Sequence, residues 1–277
     1  MDILQAIIIG IVQGLTEFLP VSSSAHLVFA HNLLNVESSL AFDILLHLGT
    51  LIAVLWFFRW DIIKMIKSWW LSIGDILQGR FKEGFYADSY KRLAWYVILA
   101  TIPVGIVGVL FDDAVESFFA GALYVPAFFL FVTGTILYLS QRMNSGKINK
   151  ENFSKSEALV MGLGQACAIL PGLSRSGTTI AAGLVMGLDK EFAARFSFIL
   201  SIPAIFGAFV FKLGDIGSAI DVNFLPIFIG FIASIIAGYL AIKWMLDLIK
   251  NKSLDIFAYY CWLMGIIVFM GSITHIF

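Results

Sequence analysis

Long apolar segments, separated by short polar ones, are the dominant pattern along this chain. A helix that crosses a bilayer needs about 20 mostly apolar residues. The pattern therefore predicts an all-α polytopic membrane protein with six transmembrane helices, at Leu40–Phe58, Leu93–Phe111, Phe118–Leu139, Phe192–Phe211, Phe224–Ile242 and Ile256–Ile276.

Two further apolar regions, 2–35 and 158–188, do not fit this pattern. Each is interrupted near its middle by a polar run that contains proline, Pro20–His26 in the first and Pro171–Thr179 in the second. The apolar pieces on either side are too short to cross a bilayer singly. We therefore expect two re-entrant hairpins, each made of two half-helices that meet at a polar tip.

Basic residues give the expected orientation, because cytoplasmic loops of membrane proteins carry an excess of Lys and Arg. With the basic segments in the cytoplasm, residue 39 lies outside, hairpin 2–35 enters from the outside and hairpin 158–188 enters from the cytoplasm. The basic segments are 59–92, with Arg59, Lys64, Lys67, Arg80, Lys82, Lys91 and Arg92; 140–157, with Arg142, Lys147, Lys150 and Lys155; and 243–255, with Lys243, Lys250 and Lys252.

This path predicts an inverted-topology repeat within a single membrane domain that covers residues 1–277. Residues 1–140 and 155–277 each contain one broken hairpin followed by three spans, in opposite orientations. The text Gly10-x-x-Gln13 before Pro20 is matched by Gly162-x-x-Gln165 before Pro171. Inverted repeats with discontinuous helices bring their tips together near the bilayer midplane. The alternative is a coincidence of hydropathy, which any helical membrane protein can show.

Composition agrees with a lipid environment. Hydrophobic residues make up 60% of the 277 positions and charged residues 13%, about half of the roughly 25% usual in soluble domains. Mean hydropathy is +0.91. The net charge of −1 gives no basic field for nucleic acid. Cys167 and Cys261 lie in apolar stretches, so we expect small core residues. The first residues lack a basic segment and a cleavage site, so we expect them in the mature chain.

The second polar tip has the composition of a phosphate-binding site. Arg175 is a permanent cation whose planar fork suits phosphate oxygens, and a half-helix that begins after Gly177 would point its positive end to the same place. Hydroxyl groups and glycine N–H groups add donors. The alternative is that Arg175 only forms a salt bridge with Glu17. The predicted phosphate-binding residues are Gly172, Ser174, Arg175, Ser176, Gly177 and Thr179.

The first tip offers oxygen ligands. Gln13 and Glu17 are four residues apart and share one helix face. Their side-chain oxygens suit Mg²⁺ or Ca²⁺ rather than a soft metal. Two such ligands cannot hold the ion alone, so substrate phosphate and water would complete its shell. The alternative is that Glu17 caps or closes the hairpin without binding metal.

His26 is the candidate catalytic group of the first tip. Histidine can act as nucleophile, base or acid near neutral pH, and His26 follows the hydroxyl run Ser22–Ser24. Ser23 is the alternative nucleophile, with His26 as its base, and water is the third. His31 is expected at the membrane interface.

Two pairs of polar residues on neighbouring spans are expected to support the tips. Asp43 and His47 are four residues apart on the first span, and Ser197 and Ser201 occupy about the same place in the second half.

At its two tips the chain resembles the undecaprenyl-diphosphate phosphatase (bacitracin resistance) family. The family's acidic motif, Glu or Gln followed four residues later by Glu, matches Gln13 and Glu17. Its Pro-Gly-x-Ser-Arg-Ser-x-x-Thr motif matches Pro171–Thr179 in full, and the family histidine matches His26. The second motif is long and specific, and chain length and span pattern agree along the whole sequence.

The resemblance implies a divalent-metal-dependent phosphatase of the bacterial cell inner membrane, with its active site open to the periplasm. It would convert undecaprenyl diphosphate to undecaprenyl phosphate, which recycles the carrier lipid for peptidoglycan synthesis and confers bacitracin resistance. Glu17, Ser23, His26 and Arg175 would form the catalytic set, and the protein would form a homodimer.

The main alternative is a flippase or transporter of polyprenyl phosphate or phospholipid. Broken helices in inverted repeats are common in transporters, and an arginine-lined phosphate site would serve transport as well as catalysis. A purely structural protein would not need an arginine at this depth, because intramembrane charges are costly.

Overall fold

The computed structural model describes residues 1–37, 39–119, 124–213 and 224–273, which form twelve α-helices and no β-strand. In chain order the helices are α1 Ile3–Phe18, α2 Ser23–Leu33, α3 Leu40–Phe57, α4 Arg59–Leu77, α5 Phe81–Ala87, α6 Ser89–Phe119, α7 Tyr124–Met143, α8 Lys155–Cys167, α9 Arg175–Val185, α10 Lys190–Phe211, α11 Phe224–Asn251 and α12 Asp255–Ile273.

Six of these helices are long and apolar enough to cross a membrane, which confirms the six predicted spans. The third span was predicted to begin too early, because residues 118–119 belong to the end of α6. The parts of the predicted spans at 120–123 and 274–276 lie outside the described residues. The apolar stretches are Leu40–Phe57, Ser89–Phe111, Tyr124–Met143, Lys190–Phe211, Phe224–Lys250 and Asp255–Ser272.

The two interrupted regions are helix pairs, as predicted. α1 and α2 are separated by residues 19–22, and α8 and α9 by residues 168–174. α1 has 16 residues, or about 24 Å at 1.5 Å per residue, which is shorter than the roughly 30 Å hydrocarbon core. Both breaks contain a left-handed residue, Ser22 with φ of 69° and Gly172 with φ of 91°. At Ser22 this conformation is costly, and such strain is concentrated at functional sites.

The basic segment 59–92 is not the simple linker that we expected from its charges. It forms α4 and α5, and α4 packs against the start of α6, where Ser68 donates to Asp88 and Trp95 donates to Ser72. The opposite side of α4 exposes Trp60, Ile63, Ile66 and Trp70. Apolar and aromatic residues beside lysines on one helix are typical of a helix at the membrane surface.

Glycines hold α1 close to α11. A Cβ atom added at Gly14 would lie 2.6 Å from Ala237 Cβ and 2.7 Å from Ser234 O, and Gly10 faces Gly230 in the same way. Glycines four residues apart let two helix backbones approach closely in lipid, where the hydrophobic effect does not drive helices together. The depth of the first break is therefore set by the contact of α1 with α11.

The second broken pair is attached to a different span. A Cβ atom at Gly162 of α8 would lie 2.7 Å from Ala100 Cα of α6. α7 and α12 form a third close pair, in which a Cβ atom added at Gly134 would lie 2.7 Å from the indole of Trp262. Each broken pair is thus fixed against one long helix by small residues.

The two cysteines differ in their surroundings. Cys261 is buried, as expected, whereas Cys167 is exposed, so that prediction is wrong for Cys167. Cys167 continues the exposed stripe of α8 formed by Leu159 and Leu163 at four-residue spacing. It faces outward because it lies on the side of α8 that is turned away from the other helices.

The expected orientation can be tested by labelling single cysteines in intact cells, after both native cysteines have been replaced. Glu37→Cys and Leu213→Cys should react with a membrane-impermeant maleimide, and Arg80→Cys and Lys147→Cys should react only after permeabilisation. All four positions are next to described helices. Equal labelling of all four in intact cells would contradict the opposite orientation of the two halves.

Candidate active site

The loops that break the two helix pairs contact each other. The Ser176 hydroxyl donates to the backbone oxygen of Leu19 over 2.9 Å, and the Gly172 N–H donates to Ser24 Oγ over 3.3 Å. These two bonds join residues more than a hundred positions apart in the sequence. Each loop thereby satisfies backbone groups that lipid could not satisfy for the other.

Glu17 is the centre of the hydrogen-bond network between the loops. Its buried carboxylate accepts from Gln13 Nε2 at 2.9 Å and from Ser23 Oγ at 2.7 Å, both on Oε2. Oε1 accepts from the Arg175 guanidinium. His47 Nε2 lies 3.6 Å from Oε2. A single carboxylate therefore collects donors from α1, α2, α3 and α9.

Arg175 is the first residue of α9, and its side chain is 17% exposed. Nη2 donates to Glu17, which is the salt bridge that the sequence left as an alternative. Nη1 is buried, and no described residue accepts a hydrogen bond from it. A guanidinium has a rigid fork of donors that matches phosphate oxygens. The salt bridge thus uses one arm of the fork and leaves the other available to a ligand.

The hydroxyl groups near Arg175 are engaged in holding the second loop. Ser174 caps α9 and accepts from the Gly177 N–H at 3.0 Å, and the Ser174 N–H donates to Thr133 Oγ1 at 3.1 Å. The helix therefore begins at Arg175, three residues earlier than we expected. The first N–H groups of a helix have no partner within it, so the positive end of α9 lies at Arg175 itself.

Thr179 is also engaged within the protein. Its hydroxyl donates to the backbone oxygen of Arg175 over 2.8 Å and lies against the Ser197 hydroxyl. Ser197 thus supports the second loop, as expected. Ser201 donates to Phe198 O within α10, so its hydroxyl serves its own helix. That Thr179 binds phosphate directly stays a prediction.

The two glycines of the second loop have different roles. Gly172 needs its left-handed conformation, and a Cβ there would lie 2.6 Å from Pro126 Cα. Gly177 lies inside α9, where a Cβ would be 2.9 Å from Ser174 Cβ. Gly177 therefore allows close packing of the cap.

Gln13 has an unpaired acceptor beside Glu17. Its amide nitrogen donates to Glu17, whereas Oε1 is buried and, among the described residues, has no hydrogen-bond donor. This oxygen and the Glu17 carboxylate fit the oxygen ligands that Mg²⁺ and Ca²⁺ prefer. No group of three or more His, Cys, Asp or Glu side chains in the described chain could hold a metal. Any cation here would take its remaining ligands from substrate and water.

His26 has partners on both ring nitrogens. Nδ1 lies 2.8 Å from the Ser22 backbone oxygen, which can only accept, so Nδ1 carries the proton. Nε2 then accepts from the Tyr260 hydroxyl at 2.8 Å. The His26 and Tyr260 rings also stack, with centroids 5.6 Å apart and an angle of 11°. This arrangement fixes one tautomer and orients the imidazole.

Tyr260 is the residue of this region that sequence reasoning missed. It lies 234 positions from His26, in an aromatic-rich span where nothing distinguishes it from its neighbours. One alternative made His26 the base for Ser23. In the structure the Ser23 hydroxyl donates to Glu17 instead.

The polar residues at the start of α3 connect to the site in part. His47 approaches Glu17, as expected for a supporting residue. Asp43 lies 3.0 Å from His31 Nε2. His31 is buried, with Asp43 as a polar partner for its ring inside the protein, and that it lies at the level of the membrane interface stays a prediction.

Comparison with known proteins agrees with this geometry. The family model described as "Bacitracin resistance protein BacA" matches residues 6–267. An undecaprenyl-diphosphatase of Methanobrevibacter smithii is 78% identical over the full length of both chains. One of Methanosphaera stadtmanae is 50% identical over 99% of each chain, and one of Alkaliphilus metalliredigens is 42% identical over 99% of this chain and 100% of its own.

The matched region contains both helix breaks and every residue of the Glu17 network. The resemblance inferred from the two tip motifs is thereby confirmed, and this chain belongs to the bacitracin resistance protein BacA family.

Proposed function

We propose that this protein is a membrane phosphatase that cleaves undecaprenyl diphosphate to undecaprenyl phosphate and phosphate. The observation that carries the proposal is the Arg175 guanidinium, which lies between two helix breaks with one arm on Glu17 and the other without an acceptor among the described residues. The relatives described above are named undecaprenyl-diphosphatase. The product would re-enter the carrier-lipid cycle of cell-wall synthesis, and removal of the diphosphate would confer bacitracin resistance.

The charge of the site supports a cation as cofactor. A diphosphate carries several negative charges, whereas Glu17 and Arg175 together are neutral. We propose that Gln13 and Glu17 hold Mg²⁺ or Ca²⁺. When bound, the cation would neutralise charge on the phosphoryl group. The unpaired Gln13 oxygen next to the only carboxylate of the network supports this assignment.

The substrate phosphate would be bound at the amino end of α9. Arg175 Nη1 is a hydrogen-bond donor that has no acceptor among the described residues. The first N–H groups of α9 provide the positive end of that helix. Ser174, Ser176 and Gly172 would contribute either by holding the loop, as they do in the structure, or by exchanging these bonds for bonds to phosphate.

Ser23, His26 and water are the three candidates for the attacking group. Ser23 already donates its proton to Glu17 over 2.7 Å, which orients its oxygen and gives it a base. The Tyr260 hydroxyl donates to His26 Nε2 and fixes the orientation of the imidazole, and the Nε2 lone pair would act in catalysis once this hydrogen bond passes from Nε2 to the substrate or to water. Glu17 could equally orient a water molecule in the place of the Ser23 hydroxyl.

We also infer that the fold is an inverted repeat with two re-entrant hairpins. α1 packs on α11, the second span of the second half, and α8 packs on α6, the second span of the first half. Gln13 and Gln165 occupy matching places and are both buried. Among the described residues, Oε1 of Gln13 and both amide atoms of Gln165 make no hydrogen bond. The first hairpin would open the site to the outer face of the cell membrane.

Transport remains the competing function, since an inverted repeat permits alternating access. The decisive measurement is release of inorganic phosphate from undecaprenyl diphosphate by the purified protein in detergent. A protein that only transports lipid would release none at any concentration of Mg²⁺ or Ca²⁺.

Arg175→Lys should remain severely impaired, although it keeps the charge. Lysine is a point charge that cannot bind Glu17 and phosphate at the same time through a planar fork. We expect a loss of at least about 2 kcal/mol of transition-state stabilisation, or roughly thirtyfold in kcat/KM. Arg195→Lys, on the exposed Glu191 pair, is the control and should change little. Near-normal kinetics for Arg175→Lys would show that Arg175 serves only in a structural ion pair.

A chelator should abolish phosphate release, and Mg²⁺ or Ca²⁺ should restore it. Glu17→Gln should lose far more activity than Gln13→Ala, because Glu17 provides the only carboxylate of the pair. Melting temperatures in detergent would show whether each variant is folded. Full activity of Glu17→Gln in the presence of chelator would show that Glu17 is not part of the active site.

Tyr260→Phe should lower kcat about five- to tenfold with little change in KM, because it keeps the stacked ring and removes a hydrogen bond worth about 1 kcal/mol. Tyr259→Phe is the matched control, because the Tyr259 ring contacts Tyr138 and Trp262 rather than His26. If both variants turn over at the wild-type rate, the Tyr260 hydroxyl does not position His26 for catalysis.

A further inference from the structure

Two apolar cavities lie end to end between α6 and α10. One, of about 290 Å³, is lined by α4, α6 and α10 and includes Met65, Trp69 and Val97; the other, of about 310 Å³, includes Val104 and Phe211. Pro203 lines both. Along α6 the lining extends from residue 94 to residue 109, or about 22 Å at 1.5 Å per residue. Together the cavities form a long apolar seam.

Glycines keep the seam open. A Cβ atom built at Gly105, Gly108 or Gly207 would meet no atom within 4 Å. Glycine in a spanning helix normally allows a neighbouring helix to approach closely, and in these three positions no helix does. Close contact between α6 and α10 therefore does not explain them.

The contact of α3 with α11 shows how the same protein packs two helices tightly. A Cβ at Gly49 would lie 3.0 Å from Phe231 O and would also collide with Ser234. At Gly238 it would lie 3.2 Å from Ala53 Cβ. At the contact of α3 with α11, the space beside each of these glycines is occupied by the neighbouring helix. Beside the three glycines of α6 and α10, that space is open.

The seam reaches the loop that leads into Arg175. Ile169, in the 168–174 loop between α8 and α9, lines the second cavity together with Thr101 and Pro203. Six residues after Ile169, α9 begins with Arg175. An extended apolar molecule in the seam would thus contact the loop that leads to the proposed phosphate site.

We propose that the seam between α6 and α10 binds the isoprenoid chain of the lipid substrate. The proposal rests on the proposed function, since it assigns the tail of the molecule whose diphosphate lies at Arg175. An isoprenoid chain is apolar and carries a methyl branch on every unit, so it needs more width than a straight acyl chain. The glycines supply that width, and the seam supplies length in the direction of the spans.

The first test compares two substrates that differ only in chain length, undecaprenyl diphosphate and dimethylallyl diphosphate, whose single isoprenoid unit is too short to extend along the seam. Gly105→Leu and Gly207→Leu should each extend a side chain into the seam, because a Cβ atom at either position meets no atom within 4 Å, and leucine is well accepted in a spanning helix. We expect at least a tenfold fall in kcat/KM for undecaprenyl diphosphate and less than a twofold change for dimethylallyl diphosphate. Gly74→Leu, at a glycine of α4 that also borders open space, should leave both substrates unaffected.

Equal loss with both substrates, or loss with neither, would overturn the assignment of the seam. In the first case the leucines would have disturbed the phosphate site, and in the second the seam would hold only ordinary membrane lipid.

The second test measures binding without turnover. Undecaprenyl phosphate with a photoreactive group on one of the isoprenoid units nearest its phosphate should label peptides from residues 94–109 and 199–212, and the leucine variants should lose this label. Label spread evenly over all lipid-facing helices would overturn the proposal. If the wild-type protein releases no phosphate but is labelled at the seam, the phosphatase function fails and the seam stands as a polyprenyl-binding site.

Discussion

The buried ion pair of Glu17 and Arg175 is the interaction on which the rest of the structure depends. Removing one partner from a buried pair costs about 3–5 kcal/mol, because the other charge is left without compensation. The pair joins α1 to α9 across the two helix breaks, so this cost holds the breaks together. The pair accordingly stabilises the contact of the loops and also presents the unpaired arm of Arg175 to a ligand.

Close helix packing determines where that pair lies. Gly10 and Gly14 fix α1 on α11, and Gly162 fixes α8 on α6, so both loops are held at a set depth without any long polar segment in lipid. The α6–α10 seam departs from this rule, since Gly105 and Gly207 face open space. Both glycines are exposed, so the seam is a groove on the surface of the helices in which a bound apolar chain would gain dispersion contacts.

Much of the fold followed from the sequence because its causes are local. A run of about 20 apolar residues must be a helix in lipid, and a polar run with proline must interrupt one. The i, i+4 spacing of Gln13 and Glu17 placed both on one face, and the hydroxyl-rich motif around Arg175 indicated an anion site. α4 escaped this reasoning, because a helix that lies at the surface mixes Trp60 and Ile63 with lysines and has no long apolar run.

By itself, then, the sequence determined the spans, the two breaks and the residue types of the site, since each depends on neighbours within a few turns. Only the tertiary structure decided which groups meet. Ser23 donates to Glu17 rather than to His26, the Tyr260 hydroxyl of α12 donates to His26, and the His31 ring lies beside Asp43. The physical reason is that a hydrogen bond depends on distances of a few tenths of an ångström between atoms on different helices, and hydropathy and spacing along one chain do not specify how helices are placed against each other.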